Sequence, residues 1–206
     1  MRAPSDPATQ IRAALDAGDR SGMPVDPRLW LEGPPSSSYP ACIAVKAAAD
    51  QGLAQPYLRR LREGFMCRRR KLDTSEALVE EGRATAGLGV NRFRIDLASH
   101  GTLEAFAADL ERSAEVSMPA LEFDEEARVE GFDACRAALE ARVADAESSR
   151  PSIEDALREF GSMATAEVSA VCGLPGPRAA AELWRLAGDW RIKPEHVLGG
   201  ELWTLA

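Results

Sequence analysis

Ser117-Met118-Pro119-Ala120-Leu121-Glu122-Phe123 is followed by Asp124-Glu125-Glu126 and then by Ala127-Arg128-Val129-Glu130-Gly131. Apolar and polar residues alternate along the first stretch, the acidic triplet has the composition of a turn, and the second stretch reads as another short strand. A period of two sends successive side chains to opposite faces of a strand, so the pair predicts a β-hairpin. Phe132 to about Ala146 returns to helical spacing through Cys135, Ala138, Leu139 and Val143, and Glu147 to Pro151 reads as a linker. The hairpin makes the chain α+β, mostly helical.

The chain ahead of the hairpin is helical with a stop at every end. Ser36-Ser37-Ser38 precede a helix over Ala41–Ala49 that ends near Gly52. Leu58, Leu61, Phe65 and Met66 share one face of a second helix reaching Cys67, and Asp73 or Thr74 caps a third through Leu78 and Val79 toward Gly87. Asn91 starts a short segment through Phe93, Ile95 and Leu97, and Thr102 caps Leu103, Phe106 and Leu110. Upstream, Asp6 and Pro7 open a helix with Ile11, Ala14 and Leu15 on one face, ending near Gly18. The prolines from Pro24 to Pro35 exclude regular helix or central strand there, and predict an extended loop anchored by Leu29, Trp30 and Leu31.

Beyond the linker, Ser152 caps Ile153 to Phe160, Ala164 to Val171 is a second helix, and Gly173 to Pro177 is a turn into a third, Arg178 to Asp189. Two short strands, Trp190 to Lys193 and Glu201 to Leu205, bracket Gly199-Gly200. Helix, helix, tight turn, helix and hairpin is a winged-helix layout. Trp184, Trp190 and Trp203 are expected to staple its third helix to the hairpin.

Composition narrows the function classes. The chain has 206 residues, enough for one core plus a small module. Its net charge of -8 works against non-specific binding to nucleic acid or anionic membrane. No apolar run approaches the roughly 20 residues of a membrane span, and Met1 to Pro7 leads into a polar helix, so the expected location is cytoplasmic. Cys42, Cys67, Cys135 and Cys172 lie tens of residues apart with no CxxC, and His100 and His196 stand alone. No metal set or catalytic triad follows, and the cysteines read as small buried hydrophobes.

Pro34-Pro-Ser-Ser-Ser-Tyr-Pro-Ala-Cys-Ile-Ala-Val-Lys-Ala-Ala-Ala-Asp-Gln-Gly52, followed by Tyr57-Leu58-Arg59-Arg60-Leu61-Arg62-Glu63, resembles the helical insertion of cytoplasmic DsbA-like thioredoxin-fold proteins. That branch includes FrnE-type oxidoreductases, YjbH-type protease adaptors and, more distantly, 2-hydroxychromene-2-carboxylate isomerases. The resemblance covers roughly residues 20 to 146. It implies that Ser117 to Phe123 carries the fold's cis-proline loop and third strand, and that Ala127 to Gly131 with the following helix closes it. It also implies a preceding strand and a CxxC at a helix N-terminus, where the dipole and free N–H groups stabilise a thiolate, or a glutathione-binding serine in the isomerase branch. Neither is found before Ser36. The fold expected is an incomplete DsbA-like thioredoxin fold over residues 1–146 with a helical insertion at about 36–112, a linker at 147–151 and a winged-helix-like module at 152–206.

On this reading Met118 and Pro119 are the candidate binding loop. A cis Pro119 would present the Met118 backbone to an extended chain, as the resemblance implies, whereas a trans proline would merely start an edge strand. Cys42, behind Pro40 near a helix start, is the candidate reactive thiol, against a packing role beside the Trp30 segment. Arg59, Arg60, Arg62, Arg68, Arg69, Arg70 and Lys71 form the one basic cluster, read as a solvated helix face or as a dock for an acidic partner. In the tail five basic residues face eight acidic ones, too little positive charge for a DNA reader.

The expected function is non-catalytic binding of a peptide or protein partner, without cofactor. An alternative is a thiol–disulfide oxidoreductase or glutathione-dependent isomerase whose catalytic segment lies upstream of Met1 or on a partner chain; another is a winged-helix transcriptional regulator. The open edge of an incomplete sheet further predicts self-association into a homo-oligomer or poor solubility.

Overall fold

The computed structural model describes residues 6–123, 127–143 and 149–206. Helix α1 (Pro7–Ser21) starts on a proline whose missing N–H is no loss at the first helical position, and ends where Gly22 takes a left-handed φ of 69°. The proline-rich loop holds one helical turn that was not expected, α2 (Leu29–Glu32), which fits between Pro27 and Pro34 and buries Leu29.

Five short helices follow: α3 (Tyr39–Ala49), α4 (Ala54–Met66), α5 (Ser75–Arg83), α6 (Val90–Leu97) and α7 (His100–Ser113). The last starts earlier than its sequence suggests. Ser99 is its cap, accepting the Thr102 N–H at 3.1 Å, and Thr102 is a buried residue of the first turn. Ala41, Ala44, Ala47 and Ala48 give α3 a smooth face, so that Tyr57, Leu61, Leu78 and Phe93 of the neighbouring helices close around it. Tyr57 is fully buried, and its O–H donates to the Leu78 carbonyl at 2.8 Å.

Strands β1 (Ala120–Phe123) and β2 (Ala127–Glu130) pair antiparallel with Leu121 opposite Val129; the expected turn at 124–126 lies outside the described residues. Helix α8 (Phe132–Val143) packs back on the hairpin through Cys135. The second edge of β1 carries no strand among the described residues. The expected linker falls partly outside them, at 147–148.

The C-terminal part runs α9 (Ile153–Phe160), β3 (Met163–Ala164), α10 (Thr165–Val171), α11 (Gly176–Gly188), β4 (Ile192–Val197) and β5 (Gly200–Leu205), with sheet order β3-β5-β4. The two-residue β3 was not expected, being too short to show a period. It pairs Met163 with Trp203 and Ala164 with Leu202. Trp203 is fully buried and its indole N–H reaches Thr165 Oγ1 at 3.0 Å. Trp190 departs from expectation: it is 87% exposed and precedes β4. Its φ of 58°, with bonds from Trp190 N–H to Ala187 O and from Arg191 N–H to Leu186 O, makes it the left-handed residue that closes α11. Trp184 is half exposed, edge-on to Trp203 at 5.0 Å.

The three-stranded sheet is covered on both faces. Met163, Ile192 and Trp203 meet Leu157, Val168 and Leu183 on one side; Ala164 and Leu202 meet Cys67, Met23 and Val197 on the other. The second layer joins the C-terminal sheet to the helical part. Among the described residues no helix is long and apolar enough to cross a membrane.

Candidate functional site

The Met118–Pro119 peptide is cis. Met118 is 75% exposed, beside a shallow hollow of about 240 Å³ that Asp109, Arg112, Val116 and Glu122 also line. The loop is fastened from behind: the Gly131 N–H donates to Pro119 O at 2.8 Å, and the Cys135 thiol to Val129 O at 3.3 Å. Glu122 on β1 holds Arg128 at 2.7 Å and pairs with Arg112, which keeps its carboxyl below the usual range. Met118 is thus an exposed apolar side chain on a hydrogen-bonded loop, just before a strand whose second edge carries no strand among the described residues.

Cys42 lies in the first turn of α3 and reaches the surface. The expected lowering of its pKa is absent. Partial burial and the carboxylate of Asp109 push the thiol up, outweighing any help from the helix N-terminus. Cys42 and Met118 nevertheless share a neighbour, since Asp109 also lines the hollow beside Met118 and pairs with Lys46. All four cysteines are free. Burial, reinforced by Glu63, pushes Cys67 to about 11, and burial raises Cys172.

Most of the basic cluster is held in ion pairs within the chain rather than forming a solvated face. Arg60 and Arg70 converge on Glu81, whose side chain is only 3% exposed. Arg69 pairs with Glu32 and with the buried Asp26, and Lys71 approaches Asp73. Arg59 and Arg68 cross to the C-terminal part. Arg59 donates to Glu167 at 3.0 and 2.9 Å and to the Ser162 carbonyl; Arg68 donates to Glu195 at 2.8 and 2.7 Å. Glu63 joins the two, accepting from Arg68 at 2.7 Å and from the Ser162 hydroxyl at 2.7 Å. Glu167 is raised by burial but lowered more by Arg59 and by the Ala164 N–H, and Glu195 is lowered by Arg68. Only Arg62 of the cluster has no carboxylate partner among the described residues.

Above this seam lies a cavity of about 910 Å³ between α1, α4 and the C-terminal part. Met23, Met66, Cys67, Phe160 and Leu202 supply its apolar wall, and Arg62 and Glu159 its unpaired charges. Sequence reasoning missed it because its walls come from segments more than a hundred residues apart. The one available signal was apolar Met66 and Phe160 at the ends of their helices.

Residues 7–130, from α1 through β2, match the model of the thioredoxin family. The chain belongs to that family. Similarity to curated relatives of this thioredoxin-family protein reaches further. The ClpXP adapter protein SpxH of Halalkalibacterium halodurans is 29% identical over 198 residues, covering 88% of this chain and 64% of its own length. The ClpXP adapter protein SpxH of Shouchella clausii is 27% identical over 207 residues, covering 86% and 69%. The chain therefore spans slightly under two thirds of the first relative.

Proposed function

We propose that this thioredoxin-family protein is a non-catalytic adapter of the DsbA-like branch, working in the cytoplasm, that binds a protein partner and presents it to a ClpXP-type protease. The observation that carries the reading is the second edge of β1 beside Met118, which carries no strand among the described residues. Unpaired strand N–H and C=O groups next to an exposed apolar side chain suit capture of an extended segment by strand addition. The names of the two relatives support the adapter role. The thiols support the absence of turnover: exchange needs an accessible low-pKa thiolate with a second thiol nearby, and Cys42, Cys67 and Cys172 are raised instead.

We read residues 152–206 as a winged-helix-like module used for packing and protein contact. Its helix, strand, helix, helix, hairpin order supports the layout. DNA reading is disfavoured because the sheet face away from the helices is covered by the Cys67 layer, and the hairpin tip lies on the Pro24–Val25 backbone.

The test is binding of the purified chain to ClpX by interferometry, with Met118→Asp and an insulin-reduction assay alongside. Saturable binding without insulin reduction is expected, together with loss of client-peptide capture in Met118→Asp. Turnover of insulin, or no affinity for ClpX, overturns the proposal.

A further inference from the structure

We propose that the cavity between α1, α4 and the C-terminal module is a second docking site, separate from the Met118 edge, for an amphipathic α-helix of a partner protein. Its size and apolar wall suit several buried side chains of one helix face, with Phe160 and Met66, 43% and 38% exposed, as the surfaces left to cover. Thioether side chains adapt to irregular helical knobs, and Met23 and Met66 both line it.

The backbone around the cavity selects a helix over an extended strand. Its walls are mostly helices, whose N–H and C=O groups bond internally, together with the Met23–Val25 loop and β5, which is flanked by β3 on one side and β4 on the other. Among the described residues no strand edge opens into it, and the loop that lines it holds Pro24, which has no N–H to offer, so recognition runs mainly through side chains. A helix satisfies its own backbone and offers an apolar face, which is what such a cavity accepts.

Charge sets the flanks. Arg59, Glu63 and Glu167 on the cavity wall are neutralised by one another and by Arg68. Arg62 and Glu159 are not paired among the described residues. An incoming helix is therefore expected to carry an acidic residue toward Arg62 and a basic one toward Glu159, on either side of its apolar stripe.

The probe is a displayed library of peptides of about 16 residues, four to five helical turns, panned on the full chain. Enriched peptides should carry apolar residues at i, i+3, i+4 and i+7, and gain helicity on binding. Phe160→Glu and Met66→Asp, each confirmed folded by circular dichroism, should weaken them by about tenfold or more. Arg62→Glu should weaken peptides with the acidic flank and favour those with lysine there. No enrichment, enrichment of proline-rich extended peptides, or affinity unchanged in both apolar variants would overturn the site. So would concentration-dependent dimerisation that Phe160→Glu abolishes, which would give the cavity to a second copy of this chain.

Discussion

Arg68, just past the end of α4, donates to Glu195 on β4 at 2.8 and 2.7 Å while holding Glu63 at 2.7 Å. One guanidinium thus links the thioredoxin-family part to the module behind it, across 127 residues of sequence. The same two parts also meet in the apolar layer of Cys67, Ala164 and Leu202. The two parts are joined by a polar seam over an apolar one, and the proposed helix-binding cavity opens along the same seam.

Removing this link should loosen the seam without unfolding either core. Glu195 is 42% exposed, so solvent screens the pair and a coupling of about 1 kcal/mol is expected. A double-mutant cycle with Arg68→Ala and Glu195→Ala, read by urea unfolding, measures it. Zero coupling would mean that the apolar layer and the Arg59–Glu167 and Glu63–Ser162 contacts join the parts without this pair.

Acid should act on the same seam. Glu167 and Glu195 both have folded pKa values below their ordinary 4.5. Their contribution is therefore complete above that ordinary value and is lost as pH falls through the lowered folded values. Melting temperature measured from about pH 6 to about pH 3 should fall less steeply in Glu167→Gln/Glu195→Gln than in the unmodified chain. Parallel curves would count against the assignment.

What could be read from the sequence was local. The alternation around Leu121 predicts the hairpin, Ser152 and Thr74 mark helix starts because capping chemistry is decided within a turn, and Pro7 marks α1 by its fixed φ, since Asp6 makes no side-chain cap bond there. Thr102 reads as the cap of α7 from sequence, but Ser99 is an equally good cap, and it is the Thr102 N–H bond to Ser99 and the burial of Thr102 that set the start. The seam left no trace, since a basic run looks the same whether water or distant carboxylates face it. Trp190 misled because large aromatics are normally buried, whereas here the geometry that closes α11 turns it outward.

Thiol chemistry offers an independent check. With their thiols raised and their side chains buried, Cys67 and Cys172 should react with Ellman's reagent only when the protein unfolds, and Cys135 should be shielded by burial. Cys42 should label in the native state, more slowly than free cysteine at about pH 7.5 because less of it is thiolate. Any native thiol that outpaces glutathione would reopen an enzymatic role.

Gly199 tests whether the hairpin tip must rest on the helical part. A Cβ there would lie 3.0 Å from Val25 N and 3.2 Å from Val25 O, both backbone atoms that cannot rotate away. Gly199→Val should therefore lift the β4–β5 tip, at a cost of about 1–3 kcal/mol for overpacking, and open the layer that contains Leu202 and Cys67. Because Cys67 sits in that layer and its thiol donates to Pro24 O at 3.2 Å, the readout is specific. Cys67 should become accessible to Ellman's reagent in Gly199→Val under conditions where Cys172, buried in the module's own core, stays protected. Equal exposure of both would indicate global unfolding, and protection of both would show that the tip yields without moving the seam.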